Sequence, residues 1–126
     1  MDHGYVLDSG ALIAVEKSTG NLRKKLDHLR RRNTPVLVSA GVVAQVWWDT
    51  PRQAPLSALL KLRSVDVVPL TYEASRLVDR LLKKSGTRDA VDAHVALLAF
   101  ERKWPVFSSV PGGLRILCPE VRIEHI

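Results

Sequence analysis

Short apolar runs alternate with longer segments of helical periodicity along the whole chain, and this alternation limits the possible folds more than any other feature. Five runs predict strands: Tyr5–Leu7, Val36–Val38, Val65–Leu70, Val106–Ser108 and, at an edge, Val121–Glu124. Strands that alternate with helices favour a parallel sheet covered by helices on both faces. The sequence therefore predicts an α/β fold of three layers (α/β/α) with a central parallel sheet of four to five strands. One domain over residues 1–126 is expected from the length.

Capping residues and prolines set the expected limits of the helices. Either Asp8 or Ser9 is predicted to cap the first helix, and Ser39 a helix that runs from about Gly41 to Trp48. The other helices are expected at Leu22–Arg32, around Leu56–Leu62, from Thr71 to Ser85–Gly86, and at Arg88–Lys103 with Thr87 as its cap. Residues 111–113, a proline and two glycines, are predicted to form a loop that leads to one helical turn.

Composition indicates the cellular compartment of the protein. No apolar run approaches the ~18 residues that a membrane span requires, and no signal-peptide pattern is visible before Tyr5. The single cysteine, Cys118, excludes an internal disulfide and a zinc site built from several cysteines. These features predict a cytoplasmic protein.

A basic charge balance points to a polyanionic partner. The chain has 19 Lys and Arg against 13 Asp and Glu, a net charge of +6, and its pI is near 9.9. The predicted helix Leu22–Arg32 has leucines at helical spacing and a basic surface formed by Arg23, Lys24, Lys25, Arg30, Arg31 and Arg32. Nucleic acid is the expected ligand of this surface; plain solubility is the alternative explanation of the charge.

Three carboxylates fall where a parallel sheet places its functional sites. Asp8 follows the first strand, and Asp89 and Asp92 open the late helix, three residues apart on one side. Like charges at the start of a buried helix repel unless a cation neutralises them, and Mg²⁺ and Mn²⁺ prefer carboxylate oxygens. The alternative is that these acids serve only as helix caps and partners of the helix dipole.

Other residues carry weaker signals. Ser9, Gln45, Ser108 and Ser109 lie near predicted strand ends and are secondary site candidates. His94 follows Asp92 by two residues, so its side chain should point away from it and have a structural role. The pair Trp47-Trp48 suits either stacking on a base or contact with the core or a partner. The sequence has no GxxxxGK[ST], GxGxxG or GxSxG motif, which disfavours the nucleotide-binding and hydrolase classes that use them.

Four segments together resemble the PIN domain. They are residues 5–14, 38–47, 86–96 and 106–111, of which 86–96 (GTRDAVDAHVA) is the most specific match. The segments follow the family's order over nearly the whole chain. Within that family the sequence most resembles the VapC-like toxins of toxin–antitoxin pairs, particularly the branch found in actinobacteria.

This resemblance implies a Mg²⁺- or Mn²⁺-dependent endoribonuclease, whose metal ions activate water for attack on an RNA phosphodiester. By position, Asp8 and Asp92 match the first and third family acids and Asp89 an accessory acid. The resemblance thus assigns all three as catalytic residues and as metal ligands, directly or through water. Arg88, beside these acids, would join the basic helix in guiding RNA. A small antitoxin that covers the acidic groove and a second copy of the chain are the partners that the resemblance implies.

Two departures from the family pattern affect the expected activity. Gln45 stands where the second motif usually has Glu, and it is a neutral oxygen donor. Val110 stands where the fourth motif usually has Asp, and Gly112 and Gly113 replace residues that are commonly acidic. Loss of one such carboxylate typically costs ~10–100-fold in metal affinity or activity. The fourth motif is therefore degenerate, and a non-catalytic PIN-like module that binds RNA or a protein partner is the alternative to a weakened nuclease.

Overall fold

The computed structural model describes residues 3–18, 20–48 and 50–126. Five strands form its sheet: β1 (Tyr5–Leu7), β2 (Val36–Ser39), β3 (Val65–Val68), β4 (Val106–Ser108) and β5 (Ile123–His125). Seven α-helices are seen in these ranges: α1 (Ser9–Lys17), α2 (Leu22–Arg31), α3 (Ala40–Val46), α4 (Ala54–Leu60), α5 (Tyr72–Ser85), α6 (Ala90–Arg102) and α7 (Gly112–Leu117). A short 3₁₀ helix, Pro51–Gln53, precedes α4.

The sheet is parallel throughout, with the strand order β3-β2-β1-β4-β5. Helix α6 packs against β1, β2 and β4, and α5 and α7 lie against α6. Helix α1 contacts β1 and β4 as well as α2, α3 and α4. The predicted three-layer α/β/α architecture with a parallel central sheet is thus confirmed, with five strands.

Buried apolar side chains on both faces of the short strands hold these layers together. Val6, Leu7, Val38, Val106 and Phe107 are all almost fully buried. The rings of Phe107 and Tyr5 stack with their centroids 4.7 Å apart. Strands buried on both faces read as continuous apolar runs, which is why the sequence identifies them despite their length.

Several element boundaries differ from the sequence prediction. Helix α6 begins at Ala90 with Asp89 as its cap, so Thr87 as cap and Arg88 as first residue were wrong. The Asp89 carboxylate accepts a hydrogen bond from the Asp92 N–H, which satisfies a free donor of the first turn. Gly86, with a φ of 75°, ends α5 as predicted.

The remaining differences concern lengths. Helix α3 ends at Val46, before the two tryptophans, and β3 ends at Val68, before Pro69. The segment after β4 forms a six-residue helix instead of a loop with a single turn. The fifth strand covers residues 123–125, two residues later than expected at its start.

A close contact at Gly4 should fix the approach to β1. A Cβ atom added there would lie 2.5 Å from ring atoms of the buried Trp104. We expect Gly4→Ala to lower the free energy of unfolding by about 1–3 kcal/mol, because the packed indole must move. Gly112→Ala is the matched control, since an added Cβ there meets nothing within 4 Å. Urea denaturation of both variants checks this; equal stability of the two would contradict it.

Candidate active site

The strand order brings the ends of β1 and β4 together at the carboxyl edge of the sheet. The chain builds β1, β2 and β3 in one direction and then crosses to place β4 and β5 on the other side of β1. Open parallel sheets bind ligands at this kind of switch in strand order. Asp8 follows β1 and Ser108 ends β4, so both lie at this point.

Asp8 is a buried carboxylate held by the start of α1. Its Oδ1 accepts a hydrogen bond from the Ala11 N–H at 2.9 Å, which makes Asp8 the helix cap. Burial raises the pKa of the Asp8 carboxyl, while hydrogen bonds from Ser108 and from the backbone of Ala11 and Gly10 act in the opposite direction. Of the two predicted caps, Asp8 and not Ser9 caps α1. The same hydrogen bonds hold the Asp8 carboxylate, whose charge is disfavoured by burial, in a defined orientation.

Asp92 lies in the first turn of α6, near enough to Asp8 and Asp89 for their charges to affect its pKa. Its pKa is raised to about 6, first by burial and then by the negative charges of Asp89 and Asp8. Asp89 is exposed, and one of its oxygens is engaged as the cap of α6. The three acids predicted from the sequence therefore share one electrostatic neighbourhood.

This neighbourhood suits a divalent cation in its charge and donor type. A carboxylate whose pKa is raised by neighbouring acids is stabilised in its charged form by a positive ion between them, and oxygen donors are what Mg²⁺ and Mn²⁺ prefer. Within the described part of the chain, no three His, Cys, Asp or Glu side chains are grouped closely enough to hold a metal ion by themselves. Mg²⁺ usually keeps several waters and takes only one or two carboxylates, so this arrangement fits it.

The segment after β4, which runs into the first turn of α7, contains the positions where acids were expected. Val110 is 77% exposed, and its N–H donates to the Ser108 Oγ at 3.2 Å. Gly113 is closer to the acids: a Cβ atom added there would lie 3.4 Å from Asp92 Oδ2. The sequence drew attention mainly to Val110, whereas the structure adds Gly113 as a position from which a side chain would reach Asp92.

The secondary candidates are spread around this edge. Ser109 packs its hydroxyl against Gly10, and its carbonyl oxygen lies 2.9 Å from the His125 Nε2. Ser9 is the first residue of α1. Gln45 is exposed in the last turn of α3, and none of the hydrogen bonds found among the described residues joins it to the three acids.

Half of the predicted basic surface lies far from the acids. All six basic residues of the α2 segment are exposed. Helix α2 is about 15 Å long and leads through Pro35 into the start of β2, at the edge opposite Asp8. Arg30, Arg31 and Arg32 therefore lie at the far edge, whereas Arg88 directly precedes the acid that caps α6.

His94 has the structural place that the sequence predicted. It is almost fully buried, and its Nδ1 lies 2.7 Å from the Ser39 Oγ. Ser39 in turn caps α3 by accepting from the Gly41 N–H. This contact ties α6 to the end of β2, and burial lowers the pKa of His94.

A family model, PIN domain, matches residues 5–110. The match covers most of the sequence, and the chain therefore belongs to the PIN domain family. No curated protein sequence is similar enough to count as a relative. The predicted actinobacterial branch and the degenerate fourth motif stay predictions.

Solved structures share this fold over nearly the whole chain. One is the crystal structure of VapBC2 from Rickettsia felis bound to a DNA fragment from the VapBC2 promoter. It matches with a TM-score of 0.71 and 17% identity, and the match covers 96% of this chain and 97% of that one. FitAB bound to the IR36 DNA fragment matches with a TM-score of 0.64 and 14% identity, covering 96% and 94%. PAE2754 from Pyrobaculum aerophilum matches with a TM-score of 0.60 and 14% identity, covering 96% and 87%. Across the described ranges, no helix is both long and apolar enough to cross a membrane.

The raised pKa of Asp92 predicts a loss of stability with rising pH. The carboxyl holds its proton up to about pH 6 in the folded protein, against 3.8 for an ordinary aspartate. The folded state thus binds more protons between these values, so the free energy of unfolding should fall from pH 4 to pH 6. Asp92→Asn should reduce this fall and stabilise the protein at pH 7.

Denaturant unfolding across this pH range, without divalent ions, provides the measurement. Asp66→Asn, which neutralises an exposed acid in β3, is the charge-matched control for the loss of one carboxylate elsewhere in the chain. An equal fall in unmutated protein and Asp92→Asn would show that Asp92 is not the titrating group.

Proposed function

We propose that this PIN domain is a metal-dependent endoribonuclease and the toxin of a toxin–antitoxin pair, acting in the cytoplasm. The observation that carries the proposal is the position of Asp92 near Asp8 and Asp89 at the strand-order switch, where the charges of both raise its pKa. A role in stability alone gives no reason to place the half-buried Asp92 beside Asp8 and Asp89, whose negative charges raise its pKa. A site for a cation gives such a reason.

Asp8 and Asp92 are the proposed direct ligands of Mg²⁺ or Mn²⁺, and Asp89 a ligand directly or through water. A bound cation would supply an activated water and charge stabilisation at the phosphodiester. Asp8 is oriented for this role by the Ala11 N–H and Ser108. Arg88, exposed beside Asp89, is proposed to contact an RNA phosphate, with the α2 basic residues attracting RNA at longer range.

The antitoxin and a homodimer are the proposed protein partners. Two of the similar structures are of complexes, VapBC2 and FitAB, each with a DNA fragment, which supports a protein partner for this chain as well. A groove between α1, α2 and α4 offers one surface: Val15, Leu26 and Leu59 form its apolar floor. Arg23 lies beside them, as do Arg30 and Asp27, which form an ion pair at 4.0 Å. We propose that a short apolar segment of the antitoxin, flanked by acidic residues, occupies it.

A non-catalytic PIN module that binds RNA or protein is the second candidate. Val110 and Gly113 favour it, because both leave the acidic edge without a further carboxylate. Metal affinity decides between the two candidates, since a module without catalysis has no need of it.

Metal-dependent cleavage of RNA is the direct test. We expect purified protein to cut a total-RNA pool with Mn²⁺ or Mg²⁺, to stop with EDTA, and to lose about 100-fold or more of its activity in Asp92→Asn. Asp8→Asn should lose activity to a similar extent as Asp92→Asn, since asparagine keeps the oxygen that caps α1 and loses the charge. Asp66→Asn is the control for charge alone.

A thermal shift with the same ions supplies a second readout. Mn²⁺ should raise the melting temperature of the unmutated protein and not that of Asp92→Asn, because only the folded site binds the ion. Folded protein that neither cuts RNA nor responds to Mn²⁺ would favour the non-catalytic module.

Restoring a carboxylate should strengthen a weakened site. We expect Val110→Asp or Gly113→Asp to raise Mn²⁺ affinity about 10–100-fold, with the larger gain at 113 because that position faces Asp92. Val110→Asn and Gly113→Asn are matched controls of nearly the same shape without the charge. Calorimetric titration with Mn²⁺ measures the gain; an equal response to Asp and Asn would refute a charge effect.

A further inference from the structure

Two adjacent tryptophans lie exposed on the segment after α3. Trp48 is 75% exposed and Trp47 37%, whereas the third tryptophan, Trp104, is buried. Indole rings are large and mostly apolar, so full exposure to water is unfavourable unless something covers them. The proposed cleavage chemistry does not use this pair.

The backbone that carries these rings is firmly held. Gln53 is almost fully buried, and its Oε1 accepts from the Trp48 N–H at 2.7 Å. Its Nε2 donates to the Val46 carbonyl at 2.8 Å and to a carboxylate oxygen of Glu16 on α1 at 2.6 Å. The Trp47 N–H donates to the Val43 carbonyl at 2.8 Å. Rings on a fixed backbone lose little further entropy on binding.

Helix α3 links this pair to the acids. At its first turn, a Cβ added to Gly41 would lie 3.0 Å from the Val91 side chain, which neighbours Asp92. The helix has seven residues and is therefore about 10 Å long, with Trp47 directly after its last residue. That length equals about three nucleotides of a stacked strand at ~3.4 Å each.

The surroundings of the rings favour a nucleobase over an apolar protein surface. The exposed residues described on either side of the pair are Ala44, Gln45, Pro51, Arg52 and Ala54; Arg52 is the one charged side chain among them, and Asp49 lies outside the described residues. The net charge of +6 favours a polyanion as the ligand. Exposed aromatic rings with a cationic side chain a few residues away, on a basic protein, are a combination that can bind single-stranded nucleic acid by stacking and phosphate contact.

We propose that Trp48, with Trp47 as its neighbour, stacks on an unpaired base of the RNA substrate a few nucleotides from the bond that is cut. This inference rests on the proposed ribonuclease function and adds that the substrate is single-stranded where it crosses the end of α3. Arg52 contacts the backbone of the same strand.

Binding of RNA in metal-free buffer tests the stacking separately from cleavage. The protein carries Asp8→Asn throughout, and the probe is a fluorescently labelled 12-nucleotide unpaired RNA followed by anisotropy. Trp48→Ala should weaken binding about 5- to 100-fold, the range for loss of one stacked base. Trp48→Phe should keep most of the affinity, because it retains an aromatic face. The same RNA annealed to its complementary strand should bind to all variants with equal affinity.

Phe100→Ala is the matched control. Phe100 is also an exposed aromatic residue, at 51%, but lies near the other end of α6 from Asp92. Its loss should not change RNA affinity. Quenching of tryptophan fluorescence by the RNA should also fall in Trp48→Ala, with the buried Trp104 as an internal reference. Far-ultraviolet circular dichroism verifies that each variant is folded.

Equal affinity of Trp48→Ala and its parent, or no binding of the unpaired RNA by the parent, would overturn the proposal. A change in molar mass by light scattering in Trp48→Ala, with RNA affinity unchanged, would instead assign the rings to a contact between copies. Weakened binding in Trp48→Ala supports stacking even if the chain with Asp8 intact cuts no RNA, so the two proposals fail separately.

Discussion

The buried carboxylate of Asp8 is the constraint on which the carboxyl edge of this protein depends. It caps α1 through the Ala11 N–H and accepts a hydrogen bond from Ser108 of β4. It therefore connects the central strand, the helix that follows it and the strand on the other side of the switch. Burial makes its charge costly, and the same burial makes the charge effective on a neighbour such as Asp92.

Stability and proposed function conflict at this edge. The negative charges of Asp8 and Asp89 disfavour ionisation of Asp92, so a neutral side chain at position 92 would be less unfavourable in the folded protein at neutral pH. Repulsion of this kind is common where a protein retains charges for binding or catalysis. The segment after β4 lowers the conflict, since Gly113, which lies beside Asp92, and Val110 add no charge there. The absence of carboxylates at these positions would thus both weaken the metal site and stabilise the fold.

Much of the fold and part of the site could be predicted from the sequence. The strands β1, β2 and β4 are apolar on both faces, and Gly86 and Ser39 mark helix ends by their local chemistry. The end of α3 could not be predicted, because Gln53 binds the Trp48 N–H and is itself bound to Glu16, which lies 37 residues away in the sequence. The cap of α6 was misplaced because Thr87 and Asp89 are both good caps, and the structure shows that Asp89 caps the helix by accepting from the Asp92 N–H.

The sequence by itself determined the alternation of strands and helices, the identity of the three acids and the basic charge, because these follow from local periodicity and residue chemistry. Only the tertiary structure decided which groups meet. The crossover from β3 to β4 places Ser108 beside Asp8, and the turn into α7 places Gly113 beside Asp92. The same packing separates Arg30–Arg32 from the acids and leaves Trp48 in solvent. Such distances depend on how the layers stack, which no short stretch of sequence specifies.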